Sequence, residues 1–60
     1  MKNIIVTGSE GFIGKELVKL LRQDSNNYVF EVDRKIGIEA DSIENIILNN
    51  KIDIIYHLAA

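Results

Sequence analysis

The chain has 60 residues, 47% of them hydrophobic and 27% charged, with a net charge of −2, which is typical of one small globular domain and excludes a disordered tail. The charges are scattered and no apolar stretch is long enough to cross a membrane, so we expect no nucleic-acid partner, no membrane partner and a cytoplasmic location. With no cysteine and a single histidine, the sequence predicts neither a disulfide nor a metal site.

The first predicted element is a strand that ends in the apolar run at 4–6, IIV, a pattern typical of parallel sheets with both faces buried. It leads into the stretch at 7–14, TGSEGFIG, in which a glycine recurs at every third position. Gly8 suits a tight turn at the strand end, Gly11 lets a phosphate approach the backbone, and Gly14 lets the following helix pack closely. Free N–H groups at the start of that helix can bind an anion. The stretch therefore predicts a phosphate-binding turn, with a glycine-rich turn without ligand as the alternative.

A helix is predicted at 12–23, because apolar residues recur there with helical spacing. The predicted apolar face consists of Ile13, Leu17, Leu20 and Leu21. Phe12 and Ile13 are the first apolar residues of this helix, so we expect their side chains to pack in the core.

A second strand is predicted at 28–33, after a run of turn-forming residues. Asp33 lies 19 residues after Gly14, where a carboxylate can accept hydrogen bonds from a ribose hydroxyl. Arg34 follows it and can pair with the 2′-phosphate of NADP, which Asp33 would repel. The sequence therefore favours NAD as cofactor and leaves NADP open.

The remaining chain predicts a loop at 34–40, with a short extended piece at 36–38, then a helix and a third strand at 52–58. The helix begins with Asp41 as N-cap and Glu44 in a capping box, and ends at 49–50. Its apolar stripe consists of Ile43, Ile46 and Ile47. Strands that alternate with helices predict an α/β fold, a βαβαβ unit with a parallel sheet and right-handed crossovers.

The stretch TGSEGFIG at 7–14 resembles the T-G-x-x-G-F-I-G signature of the extended short-chain dehydrogenases, the NAD-dependent epimerases, dehydratases and reductases that act largely on nucleotide sugars. The stretch HLAA at 57–60 is similar to the motif that follows the fourth strand of this family. The resemblance covers the whole chain but only the first part of the family's length. It implies a Rossmann-like sheet in which the third strand pairs with the first, in the order 2-1-3. A sheet in the order 3-2-1 is the alternative.

The middle of the chain departs from the common pattern of the family. Only about 20 residues separate Asp33 from Ile54, where the family usually has a further strand and helix. In this respect the chain looks more like a subgroup of nucleotide-sugar reductases in bacterial polysaccharide synthesis.

The resemblance also implies where the cofactor lies. The backbone N–H groups of Phe12 and Ile13 would contact the pyrophosphate, and residues 58–60 would lie beside the pyrophosphate and the nicotinamide ribose. From its position in the turn, the Ser9 hydroxyl is a further candidate for a phosphate contact. The predicted cofactor-binding residues are Gly8, Ser9, Gly11, Phe12, Ile13, Gly14, Asp33, Arg34, Leu58, Ala59 and Ala60.

Two further polar residues have competing interpretations. Asp41 resembles the aspartate that the family places near the adenine amino group, but it is followed by Ser42 where the family has an apolar residue. We therefore favour the N-cap role. His57 stands without a sequence partner of the kind that forms a catalytic set, so a hydrogen-bonded structural role is favoured over that of a base.

The family's catalytic motif, Y-x-x-x-K, is absent. The residues four positions after Tyr28 and Tyr56 are Val32 and Ala60, so no catalytic residue is predicted. We therefore expect residues 1–60 to be the N-terminal part of an NAD(P)-binding Rossmann domain from a nucleotide-sugar epimerase, dehydratase or reductase, without a second domain and inactive by itself. A stand-alone nucleotide-binding module and a structural βαβ domain without ligand are the alternatives.

Overall fold

The computed structural model describes residues 1–36 and 41–58. Its elements are β1 (Lys2–Thr7), α1 (Phe12–Arg22), β2 (Asn27–Val32), the short 3-10 helix η1 (Arg34–Ile36), α2 (Asp41–Asn49) and β3 (Ile54–His57). The predicted strands and helices are all present, with ends that differ by no more than two residues. No helix among the described residues is long and apolar enough to span a membrane.

The connection after β2 differs from the prediction. The extended piece expected at 36–38 is wrong at its first residue, because Ile36 ends the helix η1. Residues 37–40 of the predicted loop lie outside the described part of the chain. α2 begins at Asp41 itself, which is therefore its first helical residue and not the N-cap that precedes the helix. The side chain of Asp41 lies outside the described part, so its predicted capping-box bond stays a prediction.

The three strands form one parallel sheet in the order β2-β1-β3. Ile4 of β1 lies opposite Val29 of β2 on one side and opposite Ile54 of β3 on the other. The predicted order 2-1-3 is therefore confirmed, and the alternative 3-2-1 is excluded. Because the crossovers run in opposite directions from β1, its carboxyl end is a topological switch point, where ligands bind in open α/β sheets.

The start of β3 is tied to β1 by reciprocal hydrogen bonds. The Asn3 N–H donates to Oδ2 of Asp53 over 2.8 Å, and the Asp53 N–H donates to the Asn3 carbonyl over 2.9 Å. The Asn3 side-chain amide also donates to the Lys51 carbonyl over 2.9 Å. These contacts fix the register of the two strands, so that Thr7 lies opposite His57 at their carboxyl ends.

The hydrophobic core lies between the sheet and α1. Its buried members are Ile4, Val6, Val18 and Val29, and the half-buried side chains packed against them are Leu17, Leu21, Ile54 and Tyr56. Ile5 points to the opposite face of β1, since side chains alternate along a strand, and it is also fully buried. The central strand is thus buried on both faces, as the continuous apolar run predicts.

The apolar face predicted for α1 is wrong in part. Leu17 and Leu21 do face the core, but Leu20 is 60% exposed and Ile13 is 69% exposed. Phe12 is 89% exposed, so the expected core packing of Phe12 and Ile13 is wrong as well. The buried residues of the helix are instead Gly14 and Val18.

The rotation of α1 follows from Gly14. A Cβ built on this residue would lie 2.9 Å from the carbonyl carbon of Gly8 and 2.9 Å from the Cα of Ser9, and closer still to the Gly8 oxygen. Only glycine permits this approach of helix to turn. With Gly14 turned inward, Val18 one turn later faces the sheet and Ile13 faces away from it.

The second helix agrees more closely with its predicted stripe. Ile43 and Ile46 are half-buried, whereas Ile47 is 45% exposed. The stripe is therefore confirmed for the first two residues, and Ile47 lies at its solvent-facing edge.

Candidate functional site

The candidate site lies at the carboxyl end of β1, where the chain turns into α1 between the ends of β2 and β3. Gly8 opens the turn with φ 69°, in the left-handed region that residues with a Cβ rarely adopt. The role predicted for Gly8 in the tight turn is confirmed by this angle. Gly11 has an ordinary extended backbone, with φ −73° and ψ 168°. A Cβ on Gly11 would lie 3.3 Å from the Gly8 oxygen, which is tight contact without overlap.

Most backbone N–H groups of the turn have an acceptor within the protein. Those of Gly8 and Ser9 donate to the Val32 carbonyl over 2.8 and 3.4 Å. The Gly11 N–H donates to the Gly8 carbonyl over 3.0 Å, and the Lys15 N–H donates to the Gly11 carbonyl over 2.9 Å. Both ends of the turn are therefore held, one by β2 and the other by α1.

The Glu10 N–H has a different kind of acceptor. It donates to Oδ2 of Asp33 over 2.9 Å, and the Lys35 N–H donates to Oδ1 of the same carboxylate over 2.9 Å. The pKa of the Asp33 carboxyl lies below its ordinary value of 3.8, because the Lys35 N–H and then the Glu10 N–H bind the charged form. The positive charges of Lys35 and Arg34 lower this pKa further, whereas desolvation raises it. Asp33 is therefore an ionised group at neutral pH, half-buried at the end of β2.

The N–H groups of Phe12, Ile13 and Gly14 have no acceptor within residues 1–36 and 41–58. Gly11 is the N-cap of α1 and supplies no side-chain cap, and the first turn of α1 has no acidic residue. Three neighbouring donors therefore stand at the positive end of the helix dipole, next to exposed side chains. An anion is the natural partner of such an arrangement.

Ser9 lies beneath the turn rather than on its surface. The residue is 0% exposed, and Oγ is buried with no hydrogen-bond partner among the described residues. A buried hydroxyl without a partner is costly, so Oγ is a donor or acceptor that a bound group can satisfy. The predicted contact between this hydroxyl and a phosphate stays a prediction.

The end of β3 is fastened to the end of β1. The Thr7 hydroxyl and Nδ1 of His57 share a hydrogen bond of 2.9 Å. The Leu58 N–H donates to the Thr7 hydroxyl over 3.0 Å and to the Thr7 carbonyl over 3.2 Å. Leu58 is thereby brought next to the turn that begins at Gly8, and its predicted contact with the cofactor stays a prediction. The predicted contacts of Ala59 and Ala60 lie outside the described residues.

Two features of this site are not predicted from the sequence. One is the pair of Thr7 and His57, which the order 2-1-3 would have shown once the strands were aligned residue by residue. The other is the role of Asp33 as acceptor of two backbone N–H groups. The contact with Lys35 has a local signal, since Asp side chains often accept the N–H two residues later. The Glu10 contact has no such signal, because it joins residues far apart in the chain.

A parallel sheet in the order 2-1-3, with a glycine-rich turn at the carboxyl end of its central strand, defines the N-terminal portion of a Rossmann-like domain. Comparison with known proteins agrees with this class. The model of the NAD dependent epimerase/dehydratase family matches residues 4–60, and the chain belongs to that family.

A curated relative is GDP-6-deoxy-D-talose 4-dehydrogenase from Aggregatibacter actinomycetemcomitans. It is 40% identical over 60 residues, an alignment that covers 95% of this chain and 20% of the relative. The chain thus spans about a fifth of the length of the relative it matches. No solved structure matches the chain.

Proposed function

We propose that this chain is the dinucleotide-binding start of an NAD-dependent enzyme, and that the pyrophosphate of NAD binds at the beginning of α1. The observation that carries the proposal is the set of three N–H groups, those of Phe12, Ile13 and Gly14, without acceptors in the described part of the chain. They lie at the switch point of the sheet, where a dinucleotide bridges the two halves of such folds. Membership of an NAD-dependent family supports the same ligand.

The residues around these donors fit the rest of the cofactor. Each oxygen of Asp33 accepts one backbone N–H, and an ionised carboxylate has room for further donors. We propose that the adenosine ribose hydroxyls use that remaining capacity. The charge of Asp33 repels a 2′-phosphate, so we propose NAD in preference to NADP, although the exposed Arg34 next to it offers a cation.

The substrate class is proposed from the relative. Its name describes a dehydrogenase that acts on a GDP-linked deoxysugar, and we propose a nucleotide sugar as substrate of the enzyme that contains this portion. We further propose that residues 1–60 do not catalyse by themselves. Tyr56 packs against the core, and neither Tyr28 nor Tyr56 is followed by the lysine of the family's motif.

Calorimetric titration of the chain with NAD, ADP and adenosine tests the proposal. If the phosphates are bound at the start of α1, NAD and ADP bind, and adenosine binds at least about tenfold more weakly, a difference of about 1.4 kcal/mol. Adenosine that binds as tightly as ADP would show that the phosphates are not recognised. No binding of any of the three would favour a structural βαβ domain.

A further inference from the structure

We infer that Asp33 is a positioning residue for the phosphate-binding turn, in addition to the ribose contact proposed above. Through its bond to the Glu10 N–H, the same carboxylate would couple recognition of the ribose to recognition of the phosphates. The inference rests on the proposed function, and goes beyond it by assigning Asp33 a role toward a ligand that has no ribose.

The contact joins two segments that lie far apart in the sequence. Asp33 lies 23 residues from Glu10, at the end of β2, whereas Glu10 lies in the middle of the turn. Val32, directly before Asp33, accepts the N–H groups of Gly8 and Ser9. Val32, the last residue of β2, and Asp33 directly after it thus hold three consecutive N–H groups of the turn. Without the carboxylate, the Glu10 peptide loses its acceptor. This peptide lies two residues before the N–H of Phe12, which has no acceptor in the described part of the chain.

The orientation of the carboxylate is fixed from the other side. Lys35 donates its N–H to Oδ1, while Glu10 donates to Oδ2. A carboxylate held at both oxygens cannot rotate freely about its Cβ–Cγ bond. It therefore presents its remaining lone pairs in one direction before any ligand arrives, which reduces the ordering cost of binding.

Inorganic pyrophosphate separates the positioning role from the ribose role, because it contains no ribose. The variant Asp33→Asn keeps one side-chain oxygen but replaces the other with an amide that cannot accept the second N–H. Removing a negative charge near an anion by itself leaves pyrophosphate binding unchanged or makes it tighter. The positioning role predicts the opposite sign, a loss of at least about threefold in pyrophosphate affinity, together with the loss of ADP affinity.

Asp53→Asn is the matched control. Its carboxylate also accepts a backbone N–H, from Asn3 over 2.8 Å, but at the opposite end of the sheet. This variant is expected to bind pyrophosphate and ADP as the unchanged chain does. If Asp33→Asn binds ADP more weakly but pyrophosphate equally well or more tightly, the positioning role is overturned and the proposed function stands. If the unchanged chain binds neither ligand, the proposed function fails.

A second measurement tests the positioning of the turn without any ligand and without replacing Asp33. A chain of 60 residues is accessible to chemical synthesis, so the peptide bond between Ser9 and Glu10 can be replaced by an ester, which puts an oxygen in place of the Glu10 N–H and leaves every side chain unchanged. We expect the remaining amides of the turn, those of Gly8, Ser9 and Gly11, to exchange at least about threefold faster with solvent in the ester, while the core amides of β1 keep their rates. Unchanged exchange in the turn would show that this bond does not position it.

Discussion

Thr7 and His57 lie opposite each other on neighbouring parallel strands, and the Thr7 hydroxyl oxygen is 2.9 Å from Nδ1 of His57. Thr7 is 3% exposed, whereas His57 is exposed, so the pair connects the buried end of β1 to the surface beside the turn. The same hydroxyl accepts the Leu58 N–H. Together these bonds hold the segment after β3 against the start of the glycine-rich turn.

Thr7→Val removes the hydroxyl with little change in shape. We expect the free energy of unfolding to fall by about 0.5–1.5 kcal/mol, the usual net contribution of a hydrogen bond, and the Leu58 amide to exchange faster. Urea denaturation and hydrogen exchange measure the two effects. Thr7→Ser is the control, because it keeps the hydroxyl, and it should leave the exchange of Leu58 slow. Equal exchange of Leu58 in both variants would contradict this account of the pair.

Gly14→Ala tests the close approach of α1 to the turn. In an ordinary helix this change stabilises, because alanine favours helix over glycine by about 1 kcal/mol. Here we expect the opposite sign, a loss of about 2 kcal/mol or more, since the new Cβ would overlap backbone atoms of Gly8 and Ser9 that have little freedom to move. Lys15→Ala, on the exposed side of the same helix, is the control and should change stability by less than about 0.5 kcal/mol. A more stable Gly14→Ala chain would refute the packing described here.

Gly11→Ala is expected to separate binding from folding. Its backbone angles suit alanine, and the Cβ would meet only the Gly8 oxygen at 3.3 Å, so we expect a loss of stability below about 1 kcal/mol. The methyl group would occupy the approach to the free N–H groups, and NAD affinity should fall about tenfold, or 1.4 kcal/mol. Calorimetry with NAD measures the affinity, with the neutral substitution Gln23→Ala at the far end of α1 as control. Unchanged NAD affinity in Gly11→Ala would argue against a phosphate at this position.

The charged form of Asp33 is expected to make stability depend on pH. Its pKa in the folded chain is lowered from 3.8 by the N–H groups of Lys35 and Glu10. A group with a lowered folded pKa stabilises the fold above its unfolded pKa, and this contribution is lost as the pH falls through the folded pKa. The difference in free energy of unfolding between the unchanged chain and Asp33→Asn should therefore be largest near neutral pH and narrow below 3.8. A difference that stays constant across that range would mean that the two N–H groups do not favour the charged form.

Much of the fold could be predicted because local and global signals agree. The run at 4–6 is apolar at consecutive positions, which is typical of a strand buried on both faces. Gly8 precedes a segment with helical spacing, and its positive φ is a conformation that glycine adopts readily. The strand order came from the family resemblance, and the pairing of β3 with β1 confirms it.

The predictions that were wrong or missing concern contacts between segments that meet only in the folded chain. The apolar pattern placed Ile13 and Leu20 on the inner face of α1, because a stripe that includes them also has helical spacing. The rotation of the helix is set by Gly14 against the turn, and a residue without a side chain adds nothing to an apolar pattern. The bond from Glu10 to Asp33 was missed for a similar reason, since the donor is a backbone N–H that every residue type except proline carries.

We propose that the pyrophosphate of NAD binds to the N–H groups at the start of α1, which have no acceptor among the described residues. Titration of the ¹⁵N-labelled chain with NAD tests it residue by residue. We expect saturable shifts that are largest at the amides of Phe12, Ile13 and Gly14. Saturable shifts confined to the open polar depression at the opposite end of the sheet, lined by Met1, Lys2, Asp24, Asn26, Asn27 and Asp53, would contradict it, as would a titration with no shift at the start of α1.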